Sequence, residues 1–120
     1  METRSNTTYN LDKRTFIFAK NVREYVDKLP RILTNNEMGR QLIGSAGSVV
    51  GANYIEADEA LSRKDFIMRI KICRKEAKES RYWLQLSEPR NEEKELKAQL
   101  IDESPQLIKI FSTIIKRTNQ

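Results

Sequence analysis

From Phe66 onward the apolar positions step by four and three in alternation, through Ile70, Cys73, Ala77, Ser80 and Leu84. That is the seam of a helix that packs lengthwise on other helices. Ser62, with Asp65 three residues on, has the form of a capping box, so the helix opens at residue 62. Ser87-Glu88-Pro89 closes it. A second stripe on this helix carries Met68, Ile72, Trp83 and Leu86 with Glu79 among them. A monomer rarely leaves such a stripe in water, which marks Met68, Ile72 and Trp83 as candidate contact residues.

Upstream, Phe16, Ala19, Val22, Val26 and Leu29 mark the buried side of a helix over residues 12–29, capped by Asp12 and stopped by Pro30. The polar residues 1–11 read as a disordered tail. A second helix spans 36–60 after a Thr34-Asn35-Asn36 cap. At 100° per residue its apolar arc takes in Met38, Leu42, Ile43, Ala46, Val49, Val50, Asn53 and Ala57. Glu56 falls in the middle of that arc, at the angle of Met38. Gly44, Gly47 and Gly51 cluster within about 60° on the flank. Each Gly costs a helix interior about 1 kcal/mol relative to Ala, so three together predict close approach of another helix, from the bundle or from a second copy.

After Asn91 as a cap, Leu96, Leu100, Leu107, Phe111 and Ile114 or Ile115 recur at helical spacing to residue 117. Pro105 interrupts this run and predicts a kink, or a restart with Ser104 as cap. Four amphipathic helices with short connections predict an all-α, antiparallel up-down-up-down four-helix bundle, with residues 12–120 as its single domain. A chain of 120 residues suits one domain with one modest core.

Composition narrows the chemistry. The chain has no histidine, which removes Ser-His-Asp and Cys-His nucleophiles, the usual zinc sets and the Glu-x-x-His pairs of bundle di-iron sites. No phosphate-binding glycine loop occurs, so the expectation is a non-enzyme without cofactor or metal, an all-carboxylate magnesium site being the one such chemistry left. Cys73, the lone cysteine, lies on the seam as a buried thiol and suits a reducing cytoplasm. There is no apolar secretory stretch and no segment long enough to span a bilayer, so no membrane partner is expected.

Net charge is +5, distributed as +3 over residues 1–33, −3 over 34–61, +5 over 62–90 and zero over 91–120. On the third helix Lys71, Arg74, Lys75, Lys78 and Arg81 form a cationic face suited to phosphates, with Tyr82 beside them to stack on a base. The acidic second helix makes self-assembly the competing explanation of that face. Asn53, Glu56 and Glu79 read as structural polar groups, the two carboxylates forming register-fixing ion pairs with Arg69, Arg74 or Arg81. No helix-turn-helix, RRM or KH motif is present.

Gln41-Leu42-Ile43, then Ser45-Ala46-Gly47-Ser48-Val49-Val50-Gly51-Ala52-Asn53-Tyr54-Ile55-Glu56-Ala57, form one block. Ser62-Arg63-Lys64-Asp65-Phe66 and Lys75-Glu76-Ala77-Lys78-Glu79-Ser80-Arg81-Tyr82-Trp83-Leu84 form another. Together they closely resemble the bacterial "four helix bundle protein" family, whose founding members are encoded in intervening sequences of 23S ribosomal RNA. The resemblance runs from Leu11 to Lys116, and Lys75-Glu76-Ala77 stands where many relatives carry a Gly-Ser pair. It implies a left-handed antiparallel bundle assembled as a pentamer. The accessory variability proteins of diversity-generating retroelements are similar to this fold and use a basic pentameric barrel to engage reverse transcriptase and nucleic acid. The implied protein is a homo-oligomer that binds structured RNA or DNA, with a reverse transcriptase or another operon-encoded protein as a further partner. The alternative is a protein-interaction scaffold with no nucleic-acid role.

Overall fold

Hydroxyl groups on the seams are satisfied by their own helices, which lets four rods close over a continuous apolar core. Thr15 Oγ1 donates to the Leu11 carbonyl at 2.9 Å, Ser80 Oγ to Glu76 at 2.8 Å and Ser104 Oγ to Leu100 at 2.9 Å. The computed structural model describes residues 2–119, with side chains described for 11–47 and 50–119. The rods are α1 (Glu2–Asp27); a composite rod of α2 (Leu33–Leu42), a π-helical segment (Ile43–Val50) and α3 (Gly51–Asp58); α4 (Arg63–Leu86); and α5 (Lys94–Thr118), preceded by a 3-10 turn (Asn91–Glu93). The protein is all-α, with no strand among the described residues.

The α4 seam lies where its spacing places it: Ile70, Cys73, Ala77, Ser80 and Leu84 are buried and Phe66 packs on the core edge. Ser62 caps this helix, accepting from the Asp65 N–H at 3.0 Å. The core is completed by Leu100, Leu107, Phe111 and Ile115 of α5. Burial pushes the Cys73 thiol up to about 12, which leaves it unreactive.

Four expectations are corrected. First, α1 begins at Glu2 rather than at Asp12; no Gly or Pro precedes Asp12, so nothing stops the helix from extending through the stretch read as a tail. Its seam is Leu11, Thr15, Phe18, Val22 and Tyr25, with buried Leu29 just beyond its end, so Phe16 faces outward. Second, the composite rod starts at Leu33, and Asn35 does not cap it. Its Nδ2 donates to the carbonyls of Pro30 at 3.1 Å and Glu88 at 3.0 Å, while its Oδ1 accepts from the Glu88 N–H at 2.9 Å. Asn35 thereby ties the first interhelical connection to the third. Third, Asn91 does not cap α5; the helix is entered through the 3-10 turn, with no side-chain cap bond at either Arg90 or Glu93.

Fourth, the restart with Ser104 as cap does not occur: α5 continues through Pro105, and Ser104 bonds back to Leu100. Pro105 is exposed, so the ring costs the core nothing.

The π segment explains the largest rephasing. A π turn bonds i to i+5 and advances roughly 80° per residue instead of 100°. Leu42, Ala46, Val50 and Tyr54, four residues apart in sequence, therefore share one buried line. The uniform wheel instead carries Glu56 into the core, whereas it is exposed. Val49, placed in the same apolar arc, lies outside the described side chains.

Candidate nucleic-acid interface

The cationic face takes its position from α4's two neighbours. Across α4 and the composite rod, Ser45 Oγ meets Ser80 Oγ at 2.7 Å, Cys73 Sγ donates to the Val50 carbonyl at 3.7 Å and Arg69 Nη1 donates to Asn53 Oδ1 at 3.1 Å. Across α4 and α5, Arg74 Nη1 donates to Ser112 Oγ at 3.3 Å, and Lys97 Nζ donates to the Ser87 carbonyl at 2.8 Å. The heptad seam faces inward between these contacts, which leaves the basic residues along the α5 side.

Lys71, Lys75 and Lys78 are exposed, and none of the three closes a salt bridge among the described residues. Arg74 and Arg81 are half-buried beside them: Arg74 is tethered to Ser112, whereas the Nε of Arg81 is buried with no hydrogen-bond partner. The five predicted residues thus divide into three projecting lysines and two half-buried arginines, of which Arg74 is tethered. Lys109 and Lys116 are also exposed, on α5, the helix to which Arg74 is bonded. Sequence reasoning missed these two, because residues 91–120 carry no net charge to draw attention to them. At the start of α4, Arg63, Lys64 and Lys71 line a hollow of about 640 Å³ with Met68 and Asn119.

The predicted polar residues separate. Asn53 Oδ1 accepts from Arg69 Nη1 across the two rods. Glu56 and Glu79 are exposed, and neither forms the ion pair expected of it among the described residues. Arg69 is instead 3.8 Å from Asp65. The Glu76 carboxyl is raised by partial burial and then by the charge of neighbouring Glu79, against a smaller opposing effect of Lys75. A long-range ion pair that the sequence did not advertise joins α1 to α5: Arg14 bonds both carboxylate oxygens of Glu103, at 3.0 and 2.9 Å, and Gln106 at 3.1 Å. The hydrogen bond to Glu103 raises the Arg14 guanidinium further above its already high value.

The predicted contact residues fall on two separate surfaces. Gly47 and Gly51 line an open groove of about 530 Å³ between α1 and the composite rod, with Phe16, Ala19, Ile43 and Ile55 as its apolar walls. Phe16 is 67% and Ile55 63% exposed there. Among the described residues a Cβ on Gly44 or Gly51 would meet nothing within 4 Å, and one on Gly47 only Ile43 at 3.9 Å, so no described side chain takes up the space these glycines leave. Met68, 52% exposed, belongs to the hollow at the start of α4. Ile72 and Trp83 are half-buried, and Trp83 packs on the core with its Nε1 buried and unpartnered. Among the described residues no group of His, Cys, Asp or Glu is arranged to hold a metal ion, and no helix is long and apolar enough to cross a membrane.

The profile of the 23S rRNA-intervening sequence protein family matches residues 8–113. The crystal structure of a protein of unknown function from the S23 ribosomal protein family of Bacteroides thetaiotaomicron VPI-5482 superposes with a TM-score of 0.73 at 29% identity. That similarity covers 92% of this chain and 98% of the other. No curated protein matches.

Proposed function

The chain belongs to the 23S rRNA-intervening sequence protein family, and from that premise we propose a non-enzymatic accessory protein that binds structured RNA or DNA as a homo-oligomer. The exposed, unpaired strip of Lys71, Lys75 and Lys78 carries the reading, extended by Lys109 and Lys116 across the seam with α5. Flexible ammonium groups in a row suit phosphates, whose contacts release counterions and carry little sequence information. Binding is therefore weakly selective for sequence and steeply dependent on salt.

The bundle is read as antiparallel, up-down-up-down. Contacts between α4 and the composite rod pair 45 with 80, 50 with 73 and 53 with 69, one number rising as the other falls. Assembly follows from the apolar surfaces. The glycine groove and the Met68 hollow are unlike patches on one subunit, the arrangement a head-to-tail contact needs, and such contacts close into rings when the rotation allows; five subunits is the number we favour. A ring repeats the lysine strip around itself and sums weak phosphate contacts by avidity. A reverse transcriptase or another protein encoded nearby is a fitting partner for such an assembly.

The same groove favours a second reading, a protein-interaction scaffold with no nucleic-acid role. Anisotropy titration of labelled mixed-sequence RNA at low salt, with light scattering on the same sample, separates the two. Salt-sensitive binding by a multi-chain particle supports the first; an oligomer that binds no nucleic acid supports the scaffold.

A further inference from the structure

Where the lysine strip reaches the last two turns of α4, Lys78, Arg81, Tyr82, Gln85 and Ile108 line an open hollow of about 260 Å³. We propose that this hollow is a subsite for one unpaired nucleotide of a bound strand, with its phosphate held by Lys78 and Arg81 and its base laid on Tyr82. The proposal rests on the nucleic-acid reading above and adds a place where a base is engaged as well as a phosphate.

Three observations carry it. The Nε of Arg81 is buried without a hydrogen-bond partner, and a charged donor left unsatisfied is costly. Arg81 lines the hollow, so a small shift of its planar guanidinium fork toward an entering phosphate oxygen gives that donor a partner. Tyr82 is 56% exposed, yet its ring is held edge-on to Trp83, with centroids 5.0 Å apart and planes at 70°. The aromatic surface is thus fixed in place while much of it stays open to a base.

The third observation is the composition and size of the rest of the hollow. Gln85, one turn on from Tyr82, offers an amide donor and acceptor to a base edge, and Ile108 of α5 supplies apolar wall. Lys97 Nζ donates to the carbonyls of Gln85 at 3.4 Å and Ser87 at 2.8 Å, so this end of α4 is tied to α5. The volume lies below the roughly 300–1,000 Å³ of sites that enclose drug-sized ligands, so the hollow is an open seat for a base and not an enclosed ligand pocket.

The test compares a short single-stranded RNA with an abasic strand of equal length and charge, using anisotropy for affinity and the fluorescence of Trp83, the chain's sole tryptophan, for occupancy. The wild-type chain is expected to bind the base-bearing strand more tightly and to change Trp83 emission only with that strand. Tyr82→Ala is expected to weaken the base-bearing strand by about five- to a hundredfold, the range base–aromatic stacking commands, and to leave the abasic strand unchanged. Tyr82→Phe keeps the stacking ring and is expected to behave as wild type. Equal wild-type affinity for the two strands, or unaltered binding by Tyr82→Ala, overturns the subsite and leaves phosphate-driven binding standing. If the wild type binds neither strand at low salt, the nucleic-acid reading falls and the subsite falls with it.

Discussion

A Cβ added to Gly39 would lie 2.9 Å from Cγ1 of Val26, closer than carbon atoms pack, so α1 and α2 meet where one of them has no side chain. Val26 is β-branched and stiff at χ1, so it gives way only by shifting the helix. Gly39→Ala is therefore expected to lower stability by about 1 kcal/mol despite the better helix propensity of Ala. Urea unfolding measures this, and a stabilised Gly39→Ala chain would mean that α1 adjusts freely.

The glycines of the open groove should behave in the opposite way. In the separate subunit Gly51→Ala meets nothing and is expected to gain about 0.5 to 1 kcal/mol from helix propensity. Gly47→Leu fills the groove that we assign to a second copy, so it should reduce the particle mass in light scattering while circular dichroism keeps its helical signal. A Gly47→Leu chain that assembles as wild type does would place the contact elsewhere.

Asn35 holds two connections together with three hydrogen bonds from a buried position. Asn35→Ala leaves the Glu88 N–H and two carbonyls without these bonds and is expected to cost about 1 to 3 kcal/mol, read by urea unfolding. Asn35→Asp should also lose stability, because a carboxylate cannot donate to the Pro30 and Glu88 carbonyls.

Asp58 carries a pH dependence of definite sign. Its carboxyl is raised by partial burial and then by Asp12 and Glu59, with a side-chain hydrogen bond to Asp12 acting in the same direction. A carboxyl raised in the fold contributes stability that is complete below its unfolded value and is lost as pH rises through the folded one. Asp58→Asn is therefore expected to stabilise the chain at neutral pH, by under about 1 kcal/mol because the site is exposed and screened, and to have little effect in acid below the carboxylate range. Thermal unfolding at the two pH values checks this.

The legible parts of the fold were those decided within one helix. The α4 seam and its Ser62 cap follow from a strict four-three spacing and a local hydrogen bond, so the sequence carries them whole. Glu56 was misplaced because a wheel with one fixed angle cannot register the π turns between Ile43 and Val50. Phe16 was misplaced because two apolar frames run along α1, and only the neighbouring rods select the one through Phe18 and Tyr25. Gly39 went unnoticed for a similar reason: its importance lies in Val26, across a helix interface. In the basic face the five residues on α4 were readable, but Lys109, Lys116 and the hollow around Tyr82 exist only once α5 is laid alongside.

The role of the lysine strip is tested most directly by the salt dependence of RNA binding in a chain carrying Lys71→Gln, Lys75→Gln and Lys78→Gln. These side chains are exposed, so the variant keeps its fold. Each lost phosphate contact lowers the slope of log K against log salt by about 0.7 on a single strand. If the strip carries binding, the variant binds more weakly and its slope is shallower by about two units. Wild-type affinity with an unchanged slope would contradict the assignment of this face to nucleic acid.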